Sequence, residues 1–285
     1  MALVFAKTLE EYREKVSAPH MGVYGVGGTG KTSLAIAAAR PPLCWRVLLV
    51  DFDHKPLPND CEAAIYSAGG MYSKGDRVRD VVDLAGKVRA RKEKPFDLLV
   101  LDGLTALNRE DVSDRVGEIK DPRAAYGAVM REMFNASELV KAAGIPVLST
   151  LIEGWIPMFI RREADESKKN YGEIIGEGWV PENERRYIPA LPKALVINWP
   201  AIYTVMARLR VAQPNGNVEP GARWLQTIPS KQEDAKTEYA SLSPGLYLPE
   251  GVNGAALLFY PWLKQMGRAT PELEKYWASY QAKRK

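Results

Sequence analysis

Cysteine is scarce: only Cys44 and Cys61 occur in 285 residues. Two thiols in a chain of this length make neither a disulfide framework nor a zinc site, so a reducing compartment is the expectation. No apolar stretch approaches the ~18 to 20 residues needed to cross a bilayer, which excludes a helical membrane span. The start, MALVFAKTLEEYREK, lacks the long apolar segment of a secretion signal. There is no internal repeat and no low-complexity tract, and the net charge is only +4. A tilt that small permits an anionic partner without requiring one. The chain is expected to be soluble and cytoplasmic, with no membrane partner.

What is present reads as a globular α/β chain: 46% hydrophobic and 26% charged residues suit a sizeable core. Residues 8–16 have helical spacing and end at Pro19. A short apolar run, HMGVY at 20–24, stops at a glycine cluster, and SLAIAAAR at 33–40 follows as a helix former closed by Pro41 and Pro42. Further apolar runs stand at 46–51 (RVLLVD), 96–102 (FDLLVLD) and 145–152 (IPVLSTLI), with helical patterns at 78–91 and 124–143 between them. Continuous apolar runs fit strands covered on both faces. Strands alternating with helices predict a mainly parallel, doubly wound sheet whose ligands lie at the strands' carboxyl ends. Beyond Ile152 the pattern changes. Residues 153–188 read as an irregular, charged insertion. Runs at 202–211 and 223–228, separated by Gln213-Pro214-Asn215-Gly216, read as an antiparallel hairpin, and 254–266 and 271–283 as terminal helices. The expected division is an N-terminal helix (1–18), a core (19–212) and a hairpin-and-helix extension (213–285) of the same domain.

Residues 25–32 read GVGGTGKT, which satisfies G-x-x-x-x-G-K-[ST]. Glycines let the backbone turn N–H groups toward phosphate oxygens, the following helix aims its positive end there, and Lys31 adds a cation. By residue frequencies alone the pattern arises about once per hundred such chains, and here it also sits between strand and helix as the mechanism requires. Gly25, Val26, Gly27, Gly28, Thr29, Gly30, Lys31, Thr32 and Ser33 are the candidate nucleotide contacts. Thr32 is a candidate Mg²⁺ ligand, with Asp102, at the end of LLVLD, as the supporting carboxylate. Asp51-Phe52-Asp53-His54 places two carboxylates at the sheet edge; alternation lets one face the nucleotide. Asp53 is the candidate water-activating base and Asp51 the reserve. At the end of the fourth strand Ser149, Thr150 and Glu153 are candidate γ-phosphate sensors, Thr150 first among them. Val26 stands where the ParA and MinD class carries a lysine, and no NKxD-like guanine-reading motif follows the third strand.

With GVGGTGKT, VLLVDFDH, FDLLVLDGLTAL, PRAAYGAVMREMF and IPVLSTLIE in order, the chain resembles RecA-like ATPases. More narrowly it is similar to the short RecA-core proteins of bacteriophages that work in single-strand annealing and recombination, a group related to archaeal RadA paralogues. The resemblance spans residues 19–247, and the Asp102-to-Leu107 run and Tyr126-Gly127 are its more specific parts. It implies a RecA-like P-loop NTPase fold, ATP and Mg²⁺ as cofactors, ATP hydrolysis, single-stranded DNA as partner, and self-assembly with ATP between subunits, alongside a single-strand-binding protein. Asp53 takes the place of the family's catalytic glutamate with a shorter side chain, which implies slow turnover. Lys236, in Ala235-Lys236-Thr237-Glu238, matches the lysine of a late A-K-x-R segment whose cations complete a neighbour's site; the arginine is a glutamate here. Arg161, Arg162, Lys168, Lys169, Arg185 and Arg186, interleaved with aromatics, are candidate DNA contacts. Two other readings stay open: a nucleotide-gated recombination mediator with little hydrolysis, and a P-loop small-molecule kinase.

Overall fold

The computed structural model describes residues 8, 18–75, 94–105, 140–157, 185–190, 203–211, 219, 221–230 and 233–283, with scattered positions between 81 and 138. The expected N-terminal helix, Tyr126-Gly127, and Arg161, Arg162, Lys168 and Lys169 lie outside the described residues.

Mainly apolar runs form β1 (His20–Gly25), β2 (Val47–Asp51), β4 (Leu98–Asp102), β5 (Val147–Pro157) and β7 (Val205–Val211). A parallel block runs β7-β1-β5-β4-β2, and a short polar strand, β3 (Met71–Lys74), closes its far edge. On the other side β8 (Arg223–Gln226) pairs antiparallel with β7, and β10 (Gly245–Leu248) antiparallel with β8. This is the mainly parallel, doubly wound α/β sheet with a C-terminal antiparallel hairpin that the sequence implied.

Successive residues of each central strand serve opposite faces, as period-2 geometry dictates. Leu49, Leu98 and Val100 join one apolar cluster; Leu48, Val50, Leu99 and Leu101 join the other. The first cluster is roofed by helices α1 (Lys31–Ile36), α2 (Asn59–Ser67), α3 (Gly254–Gln265) and α4 (Pro271–Lys283). The second takes Val81, Val88, Val129 and Val140 from helical positions. Burying one such side chain is worth about 1.5–3 kcal/mol, so the strands are held from both sides and their carboxyl ends are fixed relative to one another.

Several boundaries differ from expectation. The helix after the glycine loop is α-helical only to Ile36 and tightens to a 3₁₀ turn at Ala37–Ala39. Arg40 is extended because it precedes Pro41, which disfavours helical backbone. The segment 153–188 is not irregular at its ends: β5 continues to Pro157, and β6 (Arg185–Pro189) returns antiparallel beside it. A two-residue strand, β9 (Lys236–Thr237), pairs with β7.

Candidate phosphate-binding site

Strand β1 delivers the chain to Gly25, and β7 runs so close that a Cβ there would lie 2.2 Å from the Leu209 carbonyl oxygen. Only glycine fits. Gly28 and Gly30 hold φ of +79° and +87°, the left-handed region open to glycine at little cost. Thr29 closes the turn with its hydroxyl on the Val26 carbonyl at 2.9 Å. The Lys31 ammonium donates to the carbonyls of Gly25 (2.9 Å) and Val26 (2.8 Å), so it lies folded over the loop. Burial pulls its pKa down, while Asp102, Asp53 and Glu153 oppose that shift. Ser33, one turn into the helix, lies against Cys61, whose thiol points to its hydroxyl at 3.8 Å.

The parallel register places Asp51 and Asp102 side by side at the ends of β2 and β4. Asp102 is 6% exposed and receives the Thr32 hydroxyl at 3.0 and 2.9 Å from its two oxygens. The Thr150 hydroxyl donates to the same carboxylate and accepts the Gly103 N–H at 3.0 Å. Burial raises the Asp102 pKa; the two hydroxyls work against that, and the negative charges of Asp51 and Asp53 add to it. The buried carboxylate and the Thr32 hydroxyl are oxygen donors of the kind a hard cation such as Mg²⁺ takes.

Asp51 and Asp53 part company, though not by alternation, which puts residues two apart on one face: β2 ends at Asp51 and the chain bends at Phe52 and Asp53. Asp51 is buried and spoken for: one oxygen accepts the N–H groups of Asp53 and His54, and the other the Tyr72 hydroxyl at 3.0 Å. Burial, with that carboxylate adding to it, pushes the Tyr72 hydroxyl pKa up to about 12. The Asp53 carboxyl lies against Gly103, the residue after Asp102: a Cβ on Gly103 would meet its carboxyl carbon at 2.7 Å. Its other contact is the Lys55 ammonium at 3.0 Å. Beyond this pair lies a cavity of about 300 Å³ lined by Lys55, Leu57, Glu62, Tyr66, Tyr72 and Lys74, among others.

The remaining candidates are distributed less favourably. Thr150 donates its single O–H to Asp102 and accepts the Gly103 N–H. Ser149 meets His20 at 2.8 Å, where burial holds the histidine pKa down to about 3. Glu153 is bound bidentately by Arg208 at 2.7 and 2.9 Å. Lys236 donates to the Tyr203 carbonyl and to Glu238, both at 2.9 Å, within its own chain. Arg186 is exposed and paired with Asp234 through Nε at 2.7 Å; for Arg185 the backbone of β6 alone is described.

Two arginines had no sequence signal. Arg208, on β7, sits 9% exposed between Glu153 and Glu233 with its guanidinium 3.9 Å above the Tyr187 ring. Arg223, opening β8, donates from Nε to the Thr29 carbonyl at 2.7 Å. Both contacts arise from strands far along the chain folding back beside β1, which no local pattern encodes.

No protein-family model matches the chain, and no curated protein matches it. Among solved structures it is similar to the RadB recombinase, at 17% identity and a TM-score of 0.44, over 74% of this chain and 80% of that one. It is also similar to the flagellar accessory protein FlaH from Methanocaldococcus jannaschii, at 10% identity and a TM-score of 0.38, over 86% and 97%.

Proposed function

We propose that this RecA-like P-loop NTPase fold serves an ATP- and Mg²⁺-dependent DNA recombination protein of the short bacteriophage type, which binds single-stranded DNA as a homo-oligomer and promotes annealing or strand exchange. The observation that carries the nucleotide reading is the Thr32 hydroxyl on the buried Asp102 carboxylate, directly behind the glycine loop. The donor set fits the cofactors: a hydroxyl and a carboxylate suit Mg²⁺, and the left-handed glycines with Lys31 suit phosphate. When bound, MgATP supplies the γ-phosphoryl group, with the ion neutralising its charge. Lys31 would exchange its hold on the loop carbonyls for phosphate oxygens. Thr32 and Asp102 would hold the ion, and Asp53 would orient the attacking water. The DNA-binding and self-assembly parts rest on the resemblance of the ordered motifs. A trans role for Lys236 requires it to leave Tyr203 and Glu238.

One observation favours the mediator reading as the runner-up: Asp53 is both shorter than the family's glutamate and tied to Lys55. ATP turnover measured with and without single-stranded DNA, alongside sizing with an ATP analogue, separates the readings. The recombination ATPase is expected to be DNA-stimulated, and Lys31→Ala is expected to abolish both nucleotide binding and turnover. Intact binding with negligible, DNA-insensitive turnover establishes the mediator instead. Transfer of label from ATP to a small acceptor, for which the cavity beside Tyr72 offers room, overturns both.

A further inference from the structure

Resting on the nucleotide reading above, we infer that Arg223, contributed by the C-terminal hairpin, is a positioning residue of the phosphate loop. Its Nε donates to the Thr29 carbonyl at 2.7 Å. The guanidinium also lies flat against the next residue, since a Cβ on Gly30 would meet Nε at 2.9 Å and Cζ at 3.1 Å. Glycine at 30 therefore answers two demands, a left-handed φ of +87° and room for the arginine.

The Thr29–Gly30 peptide is trans, the cis bonds among described residues being at Pro42 and Pro244. In a trans peptide the C=O and the following N–H point in opposite directions. Fixing the Thr29 carbonyl on Arg223 thus turns the Gly30 N–H away from β8, and that N–H makes no hydrogen bond to a described residue. A loop N–H aimed and free is what an anionic oxygen needs. The charged donor makes the anchor stronger than a neutral one. Because β8 lies between β7 and β10, the arginine is held on a paired strand, so the loop peptide is set by the sheet and not by the loop alone. A second effect adds to this: a fixed positive charge stands beside the loop.

The role is ground-state positioning, so it acts equally on the bound nucleotide before and during reaction. Loss of the guanidinium should raise KM and leave kcat in place. The test uses the full chain with Arg223→Ala and Arg223→Gln, N-methylanthraniloyl-ATP as the fluorescent probe, and Lys31→Ala as reference. Both Arg223 variants are expected to bind the probe about ten-fold more weakly. ATP KM should rise in parallel with kcat retained, and the nucleotide-free variants should stay folded, with only a small fall in melting temperature for the lost bond. If the alanine variant does not fold, the glutamine variant decides by the same criteria. Wild-type-like affinity in the folded variants, or a fall in kcat with KM unchanged, overturns the inference while the nucleotide reading stands. Failure of the wild type itself to bind the probe overturns both.

Discussion

Asp102 is an aspartate whose charge costs the folded chain something. Burial, its largest influence, raises its pKa above the unfolded value. Its ionised form is therefore disfavoured on folding, a cost absent at pH below the unfolded pKa and growing as pH rises through the folded one. Asp102→Asn removes that cost and keeps an oxygen for the Thr32 and Thr150 hydroxyls. Without nucleotide, the variant is expected to gain melting temperature over wild type as pH is taken from about 4 to about 7. With MgATP the order should reverse, because only the carboxylate answers the ion; thermal melts across pH in both states check this. Lys31, Thr32 and Asp102 were legible because each sits at a fixed offset from a strand end. The division between Asp51 and Asp53 was not legible from alternation, which puts residues two apart on one face; it follows from the bend after the end of β2. Arg223 and the Arg208 pairings were not, because their partners are set by how β7 and β8 return to β1.

Among elements, Asn253 supplies hydrogen bonds that join α3 to the end of the phosphate-loop helix, in addition to the apolar packing between them. Asn253 caps α3 by accepting the Ala256 N–H at 2.9 Å, and its amide donates to the carbonyls of Ala37 (2.8 Å) and Pro41 (2.9 Å). Those carbonyls belong to a helix end whose own partners are cut short by Pro41 and Pro42. Asn253→Ala should cost about 2 kcal/mol, combining a lost cap with the loss of the amide's bonds to the Ala37 and Pro41 carbonyls, the first of which keeps the Arg40 N–H. Asn253→Asp, which retains the cap alone, should recover only part; urea titrations at matched pH measure both. The strands β1, β2 and β4 and both terminal helices were legible from apolar runs and helical period. Strand β3 was not: MYSK is a polar edge, recognisable only from its pairing with β2. Helix α2 went unmarked as well, since NDCEAAIYS buries only Cys61, Ala64 and Ile65. The return of β6 beside an extended β5 was hidden in a charged stretch whose pairing is decided by backbone partners.

At the scale of the molecule, the cluster beneath the phosphate-loop helix also holds Leu257, Phe259, Trp262 and Leu273 from α3 and α4. We expect the hairpin-and-helix extension to unfold with the core as one unit. Calorimetry should show one transition, moved up by MgATP; at a hundred times Kd the gain is about 2.7 kcal/mol. Two transitions, with only one responding to nucleotide, would make the extension a separate unit.

Arg208 joins β7 to Glu153 on β5, Glu233 and the ring of Tyr187 on β6, and so rivets the root of the β5–β6 ribbon to the strand flanking β1. A guanidinium keeps its charge throughout the physiological pH range, so mild acid does not loosen the rivet from its side. With that root clamped, the described part of the ribbon is fixed relative to β1, which pairs with β5 and leads into the phosphate loop.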